Sequence, residues 1–159
     1  MFFLIPIALA EPSTSGECEP EVETSVKLSG KELYNTNCAG CHKADGTGER
    51  YFFPPLVGTP WIENPAAMTE VLFRGVSGTI YVRGDRYASY MSPYGLNLTD
   101  AEIIQLISYV RTELNSYAPV ETWTEQKVST LRSDLKEAQA IRGQKGLEAV
   151  LSTPQSAPK

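Results

Sequence analysis

Two thiols and an imidazole stand within five residues, Cys38-Ala39-Gly40-Cys41-His42. At the C-x-x-C-H spacing each cysteine can add to one vinyl group of a porphyrin, while the histidine that follows at once reaches the iron from the proximal side. His42 is the only histidine in the chain, so no other imidazole competes for that position. Thioether bonds remove the cofactor's translational freedom, and the porphyrin then cannot leave even a small fold. Cys38 and Cys41 are therefore the candidate covalent anchors of one haem c, and His42 the candidate axial ligand of its iron.

Other chemistries fit the same letters less well. A structural zinc ion needs four tetrahedrally placed ligands; the chain offers Cys18, Cys38, Cys41 and His42, of which two are adjacent and one lies in a charged stretch. A thioredoxin-like redox pair wants its C-x-x-C at a helix start after a strand in a βαβ unit, and no strand pattern precedes Cys38.

The 159 residues suit one small domain with extensions. The formal net charge of -5 is unevenly placed. Residues 11–28 hold five glutamates against Lys27, residues 29–117 nine acids and seven bases, and residues 118–159 five acids and six bases. No basic stripe suggests nucleic-acid binding. Met1–Ala10 is apolar and ends Ala8-Leu9-Ala10, a signal-peptidase pattern, although short and without a positive n-region. It is too short to span a bilayer, which takes about 20 apolar residues. The expectation is an extracytoplasmic, periplasmic-side protein, touching a membrane only through a partner or an N-terminal anchor. Residues 11–28 read as an acidic flexible linker, and Cys18 within it as an incidental thiol, with intermolecular pairing or lipidation as alternatives.

The elements that must position the haem motif follow from caps and periodicity. Ser29 with Glu32 makes a capping box, predicting a helix from about Gly30 to Asn37 that delivers Cys38. Ala44–Gly48 is a turn cluster, and residues 51–60 a loop broken by proline and glycine. Pro65 starts a short amphipathic helix through Met68, Val71 and Leu72 to Gly75. Residues 77–94 read as a long loop. Thr99 caps the strongest helix, with Glu102 at its third position and Ile103, Ile104, Leu106, Ile107 and Val110 as its apolar face. A weaker helix is predicted from about Thr124 to Ile141, broken by Gly143 and Gly146, with one more turn at Leu147–Leu151 and a tail over 152–159.

From Ser29 to Tyr117 the chain resembles a class I cytochrome c: GKELYNTNCAGCHKADGTG, then FPPLVG, MSPYG and LTDAEIIQLISYVRTEL. The resemblance implies an all-α fold, a small helical domain wrapped around one covalently attached haem, here followed by a helical extension over 118–151. It implies that Gly30 and Tyr34 meet Tyr109 where the first and last helices of the domain cross. It implies that the Pro54 carbonyl accepts the N–H of His42, that Leu56 follows in the same pocket, and that Met91 is the distal iron ligand in preference to Met68. Arg74, Arg83 and Arg86 are candidates to pair with haem propionates, and Trp61, Tyr81 and Tyr87 to wall the haem. The stretch GVSGTIYVRGDRYASYMSPYG is similar to cytochrome domains of periplasmic quinoprotein dehydrogenases and to small cytochrome subunits of respiratory complexes.

An iron bound by both His42 and Met91 has no open position, which leaves one-electron transfer as the expected function, with redox proteins (a dehydrogenase, an oxidase or a respiratory complex) as partners. The first rival is a fixed subunit of a larger oxidoreductase, docked through the C-terminal helix with Trp123 near its start. The second is a haem enzyme or gas sensor with an open iron.

Overall fold

Ser29 and Glu32 close the expected capping box: the Ser29 hydroxyl accepts from the Glu32 N–H at 3.3 Å, and Glu32 accepts from the Ser29 N–H at 2.7 Å. The helix they start, α1 (Gly30–Asn37), runs into the short α2 (Ala39–His42) that carries the haem motif. The structure, a computed structural model, describes residues 27–119 and 121–152. The expected signal segment 1–10, all of the linker before Lys27 with Cys18, and the tail after Ser152 lie outside the described residues.

After a 3-10 turn at Pro60–Glu63, α3 (Pro65–Arg74) begins under the Asn64 side chain, which accepts from the N–H groups of Ala66 and Ala67. Strand β1 (Val76–Ser77) and a hairpin of β2 (Ile80–Val82) and β3 (Asp85–Tyr87) come next. A second 3-10 turn (Tyr94–Asn97) leads into α4 (Asp100–Thr112), whose Thr99–Glu102 box mirrors the first. The chain closes with α5 (Glu125–Asp134), β4 (Ile141–Arg142) and α6 (Gly143–Ser152).

The main core forms where α1 crosses α4. Leu33, Tyr34, Ile103, Leu106, Ile107 and Val110 are buried there, and Val128 of α5 joins them. Gly30 makes the crossing possible, because a Cβ at that position would run into the Gln105 carbonyl oxygen and come within 2.8 Å of Tyr109 Cβ. The Tyr34 and Tyr109 rings fill the gap beside it, 5.5 Å apart and tilted by 47°. Arg111 is buried on the same helix. Its guanidinium donates to the Ile62 and Ala118 carbonyls, and burial holds its pKa below the ordinary value. A second core cluster joins Val76, Ile80, Val82 and Tyr87 to Ile141, Leu147 and Val150.

Three expectations change. The long loop over 77–94 contains the β2–β3 hairpin. Its inward Ile80 and Val82 alternate with an exposed Tyr81, but three residues are too few for a clear period. Its turn uses Arg83 and Gly84 at φ 53° and 86°, where asparagine–glycine is the recognisable signal. The helix expected to reach Ile141 stops at Asp134. Ile141 keeps the helical spacing yet lies in β4, wholly buried in the second cluster, paired with Val76 of β1. Gly143 does not break a helix; it opens α6. The fold remains mostly helical, with two small two-stranded sheets added among the described residues.

Candidate functional site

One cleft gathers the motif residues. Cys38, Cys41 and His42 line it from α1 and α2, Pro54 and Leu56 from the loop after them, Met68 and Leu72 from α3, and Leu106 and Val110 from α4. Met91 lines it as well. The empty space between these walls is about 1240 Å³, its solvent-facing mouth included.

His42 is buried, and its Nδ1 lies 2.9 Å from the Pro54 carbonyl oxygen. A carbonyl can only accept, so Nδ1 carries the proton and Nε2 keeps its lone pair, the form a metal ligand needs. Burial lowers the pKa of the ring, against a smaller opposing effect of the Pro54 bond, so the imidazole stays neutral. Burial pushes the Cys38 thiol up to about 12, with the neighbouring Cys41 adding to the shift. A redox-active pair wants the reverse, a depressed thiol in an electropositive setting, and among the described residues no strand precedes this C-x-x-C. Among the described residues no group of three or more His, Cys, Asp or Glu is placed to hold a metal ion.

Of the remaining candidates, Trp61 and Tyr87 line the cleft and Arg74, Arg83 and Arg86 do not. Arg74 donates to Glu70 and to the Gln139 carbonyl, where an α3 side chain meets the returning C-terminal segment. Arg86 reaches the Thr79 hydroxyl at 3.2 Å, and Arg83 forms the hairpin turn. No Asp, Glu, Lys or Arg is among the residues that line the cleft; its polar lining includes Asn37, Ser89, Tyr90, Ser92 and Tyr94. Nothing in their spacing marks them, because they gather only when the hairpin and the Met91 segment fold over the motif. Leu147 of α6 also lines the cleft, which no sequence pattern announced.

The arginine that ties the hairpin to the haem-motif loop is Arg50. It donates twice to Asp85, at 3.0 and 2.9 Å, and these bonds hold the Asp85 carboxyl below its ordinary pKa. A depressed carboxyl contributes stability above its ordinary value and loses that contribution as pH falls through the folded value. Acidification below the usual carboxylate range should therefore loosen the hairpin from the loop. Amide chemical shifts of residues 50–53 and 83–87 should titrate together in the parent, and this shared titration should vanish in Asp85→Asn. The Arg50 side chain is largely exposed and Asp85 only partly covered, so global stability should change little.

The site fits a haem: apolar walls, two thiols from one short helix, and a neutral imidazole nitrogen and a thioether on the same cleft. Comparison with known proteins agrees. The family model for cytochrome c matches residues 28–113. The chain is 31% identical over 125 residues to the cytochrome c subunit of a quinone alcohol dehydrogenase from Gluconacetobacter polyoxogenes, covering 77% of this chain and 26% of that subunit. The corresponding subunit from Gluconobacter oxydans is 29% identical over 130 residues, 79% of this chain and 27% of the relative. Cytochrome c-552 of Thermus thermophilus is 32% identical over 112 residues, 65% of this chain and 84% of that protein. The chain thus spans about a quarter of the dehydrogenase subunits it matches and most of the Thermus cytochrome.

Proposed function

The chain belongs to the cytochrome c family, a class I cytochrome c whose function is electron transfer through covalently bound haem c, and on that premise we propose how its own residues serve that function. Cys38 and Cys41 would hold the haem through thioether bonds, and His42 and Met91 would bind its iron. The Pro54 carbonyl holds the proton on Nδ1 of His42, which orients the ring and raises the basicity of its other nitrogen. Leu56, Trp61 and Tyr87 belong to the walls that exclude water. Residues 29–117 form the haem domain and 118–151 an extension packed on it. The bound haem supplies a one-electron Fe(III)/Fe(II) couple, whose potential a thioether ligand raises. With two protein ligands the iron offers no place for a substrate, so the protein acts as a carrier and not as an enzyme.

The observation that carries this reading is that both cysteines, the only histidine and Met91 line one apolar cleft. The partners are redox proteins, and the likeness to dehydrogenase cytochrome subunits supports a dehydrogenase as electron donor. The compartment is the periplasmic side; among the described residues no helix is long and apolar enough to cross a membrane. Copurification with a dehydrogenase would make the protein a fixed subunit, whereas elution at its own mass would make it a free carrier.

The test is an optical spectrum of the purified protein, oxidised and reduced, with and without carbon monoxide. A low-spin c-type spectrum with the weak methionine–iron band, unchanged by carbon monoxide, is expected. A high-spin spectrum with ready carbon monoxide binding would overturn the carrier reading in favour of an open iron. Haem should stay on the chain through denaturing electrophoresis, and in Cys38→Ser/Cys41→Ser it should be lost.

A further inference from the structure

Met91 is not held by its own loop alone. Its N–H donates to the Val76 carbonyl at 2.9 Å, and its carbonyl accepts from the Val76 N–H at 3.0 Å. Val76 is also the residue that pairs with the C-terminal segment: β1 and β4 run parallel, with Val76 opposite Ile141 and Ser77 opposite Arg142. Val76 is therefore the middle of a three-segment ladder, Met91–Val76–Ile141. Its near end is packed to the limit. The Ile141 N–H donates to the Gly75 carbonyl at 3.1 Å. Gly75 ends α3 at φ 66°, and a Cβ there would overlap the Met91 carbonyl and lie 3.1 Å from Pro93 N.

A second attachment lies one turn further on. The Gln144 N–H donates to the Thr79 carbonyl at 2.9 Å, and its side-chain oxygen accepts from the Tyr81 N–H at 2.8 Å. Both bonds fasten α6 to the hairpin that shares a core cluster with Met91. Ile141, Leu147 and Val150 are at most 4% exposed in that cluster, and Leu147 continues into the cleft wall. β4 and α6 lie beyond residue 113, where the match to the family model ends.

We infer that β4 and α6 are positioning elements for Met91, keeping its sulfur on the iron and the sixth position closed. The inference rests on the proposed role of Met91 as axial ligand. A two-residue strand bonded on one edge has little stability of its own. Bonded on both edges, with Ile141 buried behind it, the ladder opens only when the C-terminal segment lets go. Local opening of the Met91 segment sets how often the thioether leaves the iron, so residues some fifty positions away in sequence decide ligand occupancy. Val128, on α5 of the same extension, is equally buried but packs on the α1–α4 core and takes no part in the ladder.

The full-length holoprotein tests this in four variants: Ile141→Ala, Gln144→Ala, Val128→Ala and Met91→Ala. Two readouts are followed, the methionine–iron band of the oxidised form as pH is raised, and hydrogen exchange at the Met91 and Val76 amides. Ile141→Ala and Gln144→Ala should lose the band at lower pH than the parent, and both amides should exchange on the order of tenfold faster. Val128→Ala should melt earlier yet keep both readouts at parent values. Equal shifts in Val128→Ala, or parent-like exchange in the two ladder variants, would overturn the inference. Gln144→Ala removes only surface hydrogen bonds, one from the Tyr81 N–H and one to Glu148 within α6, so it carries the test alone should Ile141→Ala fail to fold. A band that survives Met91→Ala refutes the ligand assignment. A band lost in Met91→Ala but parent-like in both ladder variants refutes the positioning role alone.

Discussion

Met91→Ala is expected to open the iron. The reduced protein should bind carbon monoxide, the oxidised protein should turn high-spin, and the reduction potential should fall by a large part of the roughly 0.8 V over which axial ligands set haem potentials. The physical cause is that a thioether is a soft ligand that favours ferrous iron, and alanine offers nothing in its place. The fold should survive, because the position is held to Val76 by backbone bonds that alanine keeps. Met68→Ala is the control. Met68 also lines the cleft, but from a turn of α3 where it packs against the main core. Its replacement should leave the methionine–iron band in place. Loss of the band in Met68→Ala and its survival in Met91→Ala would exchange the two assignments.

Gly30→Ala should cost a large share of the stability for a single added methyl group. The new Cβ meets the Gln105 backbone and Tyr109 Cβ, neither of which can swing aside, so α1 must move off α4. Overpacking of this kind costs typically 1–3 kcal/mol and sometimes more; about 3 kcal/mol is expected here, a fall of roughly 10 °C in the thermal midpoint for a chain of this size. Because α1 leads directly into Cys38, the shift should also disturb the His42–Pro54 contact and broaden the haem absorption bands. Gly40→Ala makes the comparison. Gly40 lies between the two haem cysteines, yet nothing stands within 4 Å of a Cβ built there. That variant should keep the parent melting temperature, which would show that the cost at Gly30 belongs to the helix crossing and not to glycine loss near the haem.

Sequence reasoning reached furthest where the chemistry is local. The pentapeptide from Cys38 to His42 carries its own spacing, and both capping boxes lie within four residues, so α1 and α4 start where their side chains require. The α1–α4 crossing was legible only through the resemblance to class I cytochromes c, which implies that Gly30 and Tyr34 meet Tyr109, and the structure seats them there. The arginines show the limit. Arg74, Arg83 and Arg86 carry charge wherever they are placed, but which anion each meets depends on segments distant in sequence, and the structure gives Arg74 to Glu70 and the Gln139 carbonyl. The C-terminal extension shows it again. The apolar spacing of Val128, Leu131, Leu135 and Ala138, continued at Ile141, is the same whether Ile141 continues a helix or pairs as a strand. Only the free edge of β1 and the Gly75 carbonyl beside it choose the strand.

By itself the sequence nominated Cys38 and Cys41 as haem anchors and His42 as iron ligand, and determined the helices that carry them, because motif spacing, capping and 3.6-residue periodicity act within a few residues. Only the tertiary structure decided which walls close the cleft, that Leu147 is one of them, and that the Met91 segment is bonded through Val76 to the far end of the chain, because backbone pairing between remote segments leaves no mark in the residues that make it.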